Sequence, residues 1–225
     1  GNHDWETADV QPYLDYFTLP GNERYYDFVW GPVHFFAIDS DNREPDGRSS
    51  TSTQAIWLQN QLAASSAPWK LVYMHHPPYS SGLTHGSSLT MQWPYQAWGA
   101  NVVLAGHDHT YERILLGGFP YFVNGLGGAS IYQFGAPVAG SEVRYNADYG
   151  AMLIEASESQ IVFQFLNRTS VVVDTYTLSV APPPTATPTA TSTDTAVPTA
   201  TDTLAPSDTP TPTATDALTP TITHT

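Results

Sequence analysis

The sequence of 225 residues contains no cysteine. Disulfide bonds and thiolate metal sites are therefore excluded, and the cellular compartment is left open. The sequence also lacks any run of about 18 apolar residues, the length typical of a membrane-spanning helix. A segment that crosses a membrane is accordingly not predicted anywhere in the chain.

Basic residues are scarce, with 7 Lys and Arg against 21 Asp and Glu and a net charge of −14. Four of the acidic residues lie after residue 180, which leaves 17 acidic and 7 basic residues, a net charge of −10, in residues 1–180. A nucleic-acid partner is disfavoured because binding it requires a basic surface. An acidic domain would also repel an anionic ligand, unless bound cations reverse the sign of the local field.

The composition changes sharply near residue 180. Residues 181–225 consist mostly of Pro, Thr, Ala and Ser, with too few large apolar side chains to form a core. We expect a folded domain over residues 1–180 and a disordered stalk or linker over residues 181–225. The chain does not begin with Met and its first residue already belongs to a motif, so we also expect an upstream part, including any signal peptide.

A short apolar segment, residues 102–105, is followed by two histidines. The segment reads Val-Val-Leu-Ala, which is typical of a buried strand. Gly106 then allows a tight turn, and His107 and His109 follow in the loop. In α/β folds ligands bind outside the carboxyl ends of the strands, so these imidazoles occupy a favourable position for a metal site.

Two further segments place similar side chains in loops. The apolar residues 71–74 are followed by His75 and His76, and the chain begins with Gly-Asn-His-Asp, which contains Asn2 and His3. The amide oxygen of Asn2 suits a hard cation. The three segments hold five of the eight histidines, so the sequence predicts a metal site built from separate loops.

The remaining pattern predicts alternating strands and helices. Residues 25–29 and 33–39 resemble two strands joined by a turn at residues 30–32, with His34 as a hydrogen-bonded core histidine. A helix over residues 54–64, capped by Ser52 or Thr53, would lead to a parallel strand at residues 70–74. Four later segments are expected to be strands in the second half of a two-sheet sandwich: residues 120–124, 151–156, 160–166 and 171–178.

Three motifs in this order resemble a known family. G-N-H-D (residues 1–4), V-x-x-H (residues 72–75) and G-H-x-H (residues 106–109) are similar to the last three of the five motifs of purple acid phosphatases, which are calcineurin-like metallophosphoesterases. The following T-Y-E-R (residues 110–113) strengthens the resemblance, which spans about residues 1–180. It implies an α/β fold, a four-layer sandwich of two mixed β-sheets flanked by helices, of which the N-terminal part is missing.

The resemblance also implies a centre of two metal ions, iron paired with zinc, manganese or a second iron. The ligands of the divalent ion would be Asn2, His75 and His107, and His109 would bind the other, usually ferric, ion. Such a pair acidifies water and stabilises the charge that builds up during phosphoryl transfer.

Two catalytic roles follow from the same resemblance. His3 would bond the phosphoryl oxygens, and His85, in the long loop after residue 79, would protonate the leaving alcohol. The first two family motifs, which carry an Asp, a bridging Asp and a Tyr, would lie before Gly1. We therefore expect the full-length parent to be the phosphatase and this chain alone to bind metal weakly.

The sequence thus favours hydrolysis of a small phosphate monoester by a secreted or surface-tethered enzyme of the acid phosphatase type. A phosphodiesterase or nucleotidase of the same fold is an alternative, and so is a non-catalytic surface module that the tail displays. A zinc protease is disfavoured because no H-E-x-x-H sequence is present.

Overall fold

A computed structural model describes residues 1–7 and 10–180 of the chain. The predicted disordered tail and the predicted boundary of the domain at residue 180 lie at or outside the end of the described residues. Two α-helices, α1 (Gln11–Tyr16) and α2 (Thr53–Ala64), and two 3-10 helices, Asn2–Glu6 and Leu89–Met91, are present in the described part.

The larger sheet has seven strands: β1 (Tyr26–Trp30), β2 (Val33–Ala37), β3 (Trp69–Tyr73), β4 (Val102–Ala105), β5 (Tyr111–Leu116), β6 (Phe119–Asn124) and β7 (Ser141–Tyr145). Their order across the sheet is β1-β2-β3-β4-β6-β5-β7. β2, β3, β4 and β6 run parallel to one another, so their carboxyl ends lie at one edge. β1, β5 and β7 pair antiparallel.

The first part of the large sheet follows the predicted pattern. β1 and β2 form an antiparallel hairpin around Gly31, whose φ of +55° suits a glycine. Helix α2 then crosses to the parallel strand β3. Its N-cap is Ser52, whose side-chain oxygen accepts a hydrogen bond from the Ala55 amide at 3.2 Å. Leu58 and Leu62 of α2 are buried, whereas Ile56, which is 51% exposed, faces solvent.

The second sheet is antiparallel and contains β8 (Gly150–Ala156), β9 (Gln160–Asn167) and β10 (Val172–Ser179), in the order β10-β9-β8. The prediction that residues 120–124 belong to this sheet is wrong, because they form β6, inserted between β4 and β5. Strands β5 and β7 were not predicted. β5 carries charged residues at two central positions, which hid it from an apolar pattern.

Two hydrophobic cores lie on the two faces of the large sheet, and neighbouring residues of β3 alternate between them. Val72 packs with Leu58 of α2 and its neighbours, whereas Leu71 packs with Phe163 and Phe165 of the second sheet. A strand buried on both faces reads as a continuous apolar run, which explains the sequence of β3.

This arrangement confirms the predicted α/β sandwich. The described residues supply three of the four expected layers: helix α2, the seven-stranded mixed sheet and the three-stranded sheet. The second of these sheets is antiparallel in the described part of the chain. None of the helices in residues 1–7 and 10–180 is long and apolar enough to cross a membrane.

Candidate metal centre

The candidate site lies at the carboxyl edge shared by the parallel strands. Ser40 follows β2, His75 and His76 follow β3, and His107 follows β4. Backbone hydrogen bonds continue beyond the strands, since the Gly106 amide donates to the His75 carbonyl at 3.0 Å. This backbone hydrogen bond fixes the loops that carry His75 and His107 to each other independently of their side chains.

Three imidazoles meet at this edge. His75, His76 and His107 each offer a ring nitrogen, and these nitrogens all lie within 4.8 Å of one another. His107 Nδ1 is 2.9 Å from His75 Nε2, and the ring centroids of His76 and His107 are 4.3 Å apart. Imidazole nitrogens are common metal ligands, and this spacing is one at which a group of side chains could hold a metal ion.

His107 has an unusual backbone. Its φ is +64°, in the left-handed region that few residues with a side chain occupy. The turn predicted at Gly106 does not use a positive φ at that glycine. Such a conformation costs free energy and is found most often where it orients a functional side chain. Here it coincides with the imidazole at the centre of the cluster.

The cluster favours neutral imidazoles. Burial, helped by the neighbouring His76, lowers the pKa of His75 to about 4. Burial and the surrounding imidazoles of His76, His85, His75 and His109 lower the pKa of His107 to about 3. Burial also lowers the pKa of His76. Neutral imidazole is the form that binds metal, so these side chains are ready to do so at neutral pH.

Asn2 lies in the N-terminal 3-10 helix and directly follows Gly1, which packs against His75. Its side-chain oxygen Oδ1 is buried and has no hydrogen-bond partner among the described residues, a property shared there with Thr110 Oγ1 and Asn124 Oδ1. The preceding Gly1 packs so closely on His75 that an added Cβ would lie 2.8 Å from the imidazole Nδ1. A buried unpaired amide oxygen beside an imidazole cluster fits a cation ligand.

Two contacts hold this N-terminal segment on the sheet. The indole nitrogen of Trp5 donates to Asp39 Oδ2 at 2.8 Å, and Arg43 NH2 donates to the Asn2 carbonyl at 2.9 Å. Asp39 follows β2, and burial raises the pKa of its carboxyl group to about 6. A small cleft lined by Asp4, Trp5, Asp39 and His75, among others, lies between the segment and the strand ends.

His3 does not join the cluster. Its side chain is 82% exposed, and Nδ1 lies 2.6 Å from Glu6 Oε1. The role of His3 at the phosphoryl oxygens stays a prediction, and it would require a different side-chain rotamer from the one observed.

His109 lies beside the cluster with one nitrogen already engaged. Nδ1 is 2.7 Å from the Ser130 carbonyl oxygen, so this nitrogen must be the donor. The ring stacks on Tyr132 with centroids 4.1 Å apart. The Nδ1 contact fixes the tautomer and leaves Nε2 with a lone pair, as is usual for a histidine ligand.

The structure brings His85 to the site. Its imidazole stacks on that of His107 with centroids 3.9 Å apart and an interplanar angle of 30°. His85 itself is exposed, so its ring lies between the cluster and solvent. A substrate that binds at the cluster would therefore meet this imidazole.

His76 joins the cluster although the sequence predicted no role for it. Ser40, which is 1% exposed, places its Oγ 2.9 Å from His76 Nδ1 and accepts a hydrogen bond from the His76 amide at 2.8 Å. The available signal was the His-His pair at the end of a strand. Whether the second imidazole would turn into the site depends on Ser40, 36 residues earlier.

The geometry can now be compared with known proteins. Residues 1–111 match the family model described as calcineurin-like phosphoesterase. The matched stretch contains all of the site residues described above except Ser130 and Tyr132. The match covers just under half of the chain and makes this stretch similar to calcineurin-like phosphoesterases.

Within that class the relatives are purple acid phosphatases. Purple acid phosphatase 23 of Arabidopsis thaliana is 29% identical over 136 residues, which cover 51% of this chain and 28% of the relative. Fe(3+)-Zn(2+) purple acid phosphatase 12 of the same plant is 37% identical over 68 residues, covering 27% of this chain and 14% of the relative. The chain spans less than a third of the length of these curated relatives.

Solved structures show the same fold. A purple acid phosphatase from yellow lupin seeds superposes with a TM-score of 0.66 and 21% identity, over 80% of this chain and 37% of that one. GAP50 of Plasmodium, described as the anchor in the inner membrane complex, superposes with a TM-score of 0.56 and 22% identity, over 70% of this chain and 54% of that one.

Proposed function

We propose that this chain forms part of the active site of a phosphatase that hydrolyses phosphate monoesters at a dinuclear metal centre. The observation that carries the proposal is the meeting of His75 and His107 at the carboxyl edge of the parallel strands, with His76 beside them. The depressed pKa values keep two of these imidazoles neutral down to about pH 4. The purple acid phosphatase relatives supply the reaction class.

The ligand assignment follows the family pattern and fits the donor atoms found here. Asn2, with its unpaired buried oxygen, would join His75 and His107 on one ion, and His109 would bind the second. The ions would be iron with zinc, manganese or a second iron, and one relative is named as an Fe(3+)-Zn(2+) enzyme. When bound, such a pair supplies an acidified water and positive charge for the phosphoryl oxygens.

The protein side chains have separate tasks in this proposal. The Ser130 carbonyl keeps the proton of His109 on Nδ1, so that Nε2 remains an acceptor. His85, at the solvent side of His107, would protonate the oxygen of the departing alcohol, which is a general-acid role. The acidic domain repels free phosphate esters elsewhere on its surface, so productive binding would depend on the metal site.

The test uses the protein expressed from its natural start, including whatever precedes Gly1. We expect two metal ions per chain and hydrolysis of p-nitrophenyl phosphate. His107→Ala should lose metal and lower kcat/KM by more than about 100-fold, because removal of groups that only support metal ligands already costs roughly 10- to 100-fold. His34→Gln is the matched control, since His34 bonds Asp27 and Ser65 away from the site.

A phosphodiesterase or nucleotidase is an alternative within the same reaction class. Comparing an aryl phosphate monoester with the corresponding diester on the same preparation separates the two. A kcat/KM higher for the diester would replace the monoesterase proposal.

A non-catalytic module is the second candidate. It is favoured by the likeness in fold to GAP50, which is described as an anchor. Secretion or display at the cell surface, with residues 181–225 as a tether after a domain of residues 1–180, belongs to either candidate. Folded, metal-free and inactive protein from the natural start would support the module and contradict the enzyme.

A further inference from the structure

Asp108, the residue between His107 and His109, is a fully buried carboxylate that the proposed chemistry does not use. Its side chain accepts three hydrogen bonds from the loop of residues 80–86. Ser80 Oγ donates at 2.5 Å, the Gly86 amide at 3.0 Å and the His85 amide at 3.2 Å. Asp108 therefore connects the loop of the metal ligands to the backbone of His85.

The chain accommodates this contact closely. A Cβ on Gly82 would lie 2.4 Å from the Asp108 carboxyl carbon, so the loop can wrap around the carboxylate only with glycine at that position. Gly86 has a φ of +68°, and its positive φ directs its amide to Asp108. The loop conformation and the carboxylate thus depend on each other.

The imidazole of His85 is exposed and has few other constraints. Within the described residues its ring contacts with other aromatic side chains are stacking on His107, with centroids 3.9 Å apart, and an edge contact with Tyr132, with centroids 5.5 Å apart. Its backbone is held from one side by Asp108. Losing that anchor would let the ring move relative to His107 without removing any proposed metal ligand.

We propose that Asp108 is a positioning residue that holds His85 over the metal site so that this imidazole can protonate the leaving group. The inference rests on the proposed phosphatase function and extends it by one residue. It predicts an effect that depends on the leaving group, because an alkoxide needs protonation and a p-nitrophenolate, which is a stable anion, hardly does.

The test compares an alkyl phosphate with p-nitrophenyl phosphate in the full-length, metal-loaded protein. In Asp108→Ala, kcat for the alkyl ester should fall by roughly 100-fold, the usual size of a general-acid contribution, with little change for the aryl ester. His85→Ala should give the same pattern, and the double variant should be no worse than either single one. Asp108→Asn keeps an acceptor for only one of the two amides, since these bind different oxygens of the carboxylate, so its alkyl activity should lie between that of Asp108→Ala and that of the unchanged protein.

Asp174→Asn is the matched control, as it changes another buried carboxylate far along the chain from His85. It should affect the two substrates equally. Metal content is measured in every variant. If Asp108→Ala loses metal and loses activity equally towards both esters, the positioning role is overturned. An equal fall in kcat for the alkyl and the aryl ester in His85→Ala would overturn the positioning role as well.

Hydrogen exchange gives a readout that does not need turnover. The amides of His85 and Gly86 should exchange faster in Asp108→Ala than in the unchanged protein, whereas amides of β9 should not change. Unchanged exchange at these two positions would contradict the inference even if the protein is an active phosphatase. Absence of hydrolysis of both esters by the unchanged protein would instead contradict the proposed function.

Discussion

Asp108 and Asp174 are both buried carboxylates that accept three hydrogen bonds, and they have different environments. Asp174, in β10 of the second sheet, accepts from Tyr111 OH at 2.8 Å and from Arg113 at 2.8 and 3.2 Å. Its negative charge is thus paired with a guanidinium group across the two sheets. Asp108 receives only hydroxyl and amide donors, all from one loop.

The difference shows how one type of group can serve stability in one place and geometry in another. The pair of Asp174 and Arg113 connects two large structural units, so its loss should weaken the fold. The contacts of Asp108 fix the path of a loop, so its loss should change the position of a side chain. Glu112 of β5 also holds the loop of residues 80–86. Its carboxylate accepts hydrogen bonds from Ser81 and Ser141 and so fixes this loop to the sheet.

The largest expected effect that separates the two regions is that of Asp174→Ala on stability. The substitution leaves Arg113 partly buried without its partner, which should lower the free energy of unfolding by about 3 to 5 kcal/mol. Activity per folded molecule should not change. Urea unfolding followed by fluorescence measures the first quantity, and a change in kcat under folding conditions would show that the sheet interface also determines the site.

Asp39 is a third carboxyl group with a different balance. Burial raises its pKa by more than its hydrogen bonds lower it. Its pKa is raised to about 6, so the folded state favours the neutral form. Its contribution to the free energy of unfolding is fully present below the ordinary pKa of about 4 and is lost as pH rises through about 6. We expect the difference in unfolding free energy between the unchanged protein and Asp39→Asn to shift by about 2 kcal/mol between pH 4 and pH 8.

The histidine cluster has the opposite dependence on pH and must be separated from that of Asp39. The pKa values of His75 and His107 are lowered, so their contribution is present above about 6.5 and is lost as pH falls towards 4. Because Asp39→Asn leaves the cluster in place, only the difference between the two proteins reports on Asp39. A difference that stays constant over this range would contradict the raised pKa.

The smallest effect is expected for Tyr111→Phe. This change removes one of the three donors to Asp174 and keeps the ring, which stacks on Phe165 at 4.1 Å. Since the Arg113 contacts remain, the loss should be about 1.5 kcal/mol, the lower end for a hydrogen bond to a charged group. Chemical unfolding checks it, and a loss as large as that of Asp174→Ala would mean that the hydroxyl group, rather than the ion pair, joins the sheets.

These contacts also explain why the sequence pattern of T-Y-E-R indicated the family and did not predict a strand. Tyr111 and Arg113 point to the second sheet, and Glu112 points to the loop of Ser81, as expected for alternating side chains of a strand. The partners of these residues lie up to 63 positions away. Without them, a buried Glu-Arg sequence does not resemble a strand.

Local pattern was sufficient for most of the first half of the fold. The hairpin of β1 and β2, helix α2 with its Ser52 cap, and strands β3 and β4 all depend on short-range signals of turn, cap and apolar run. Strand order was not predictable in the same way. β6 was assigned to the wrong sheet because its apolar sequence fits any buried strand, and only pairing with β4 and β5 decides its place.

The sequence by itself determined that His75, His107 and His109 would follow apolar strands, since chain direction places a residue after a strand at its carboxyl end. Only the tertiary structure decided that His76 joins the cluster, that His85 stacks on His107 and that Asp108 holds the His85 loop. Each of these depends on contacts between segments separated by more than 20 residues, and such contacts are fixed by which strands pair and how the intervening loop is packed.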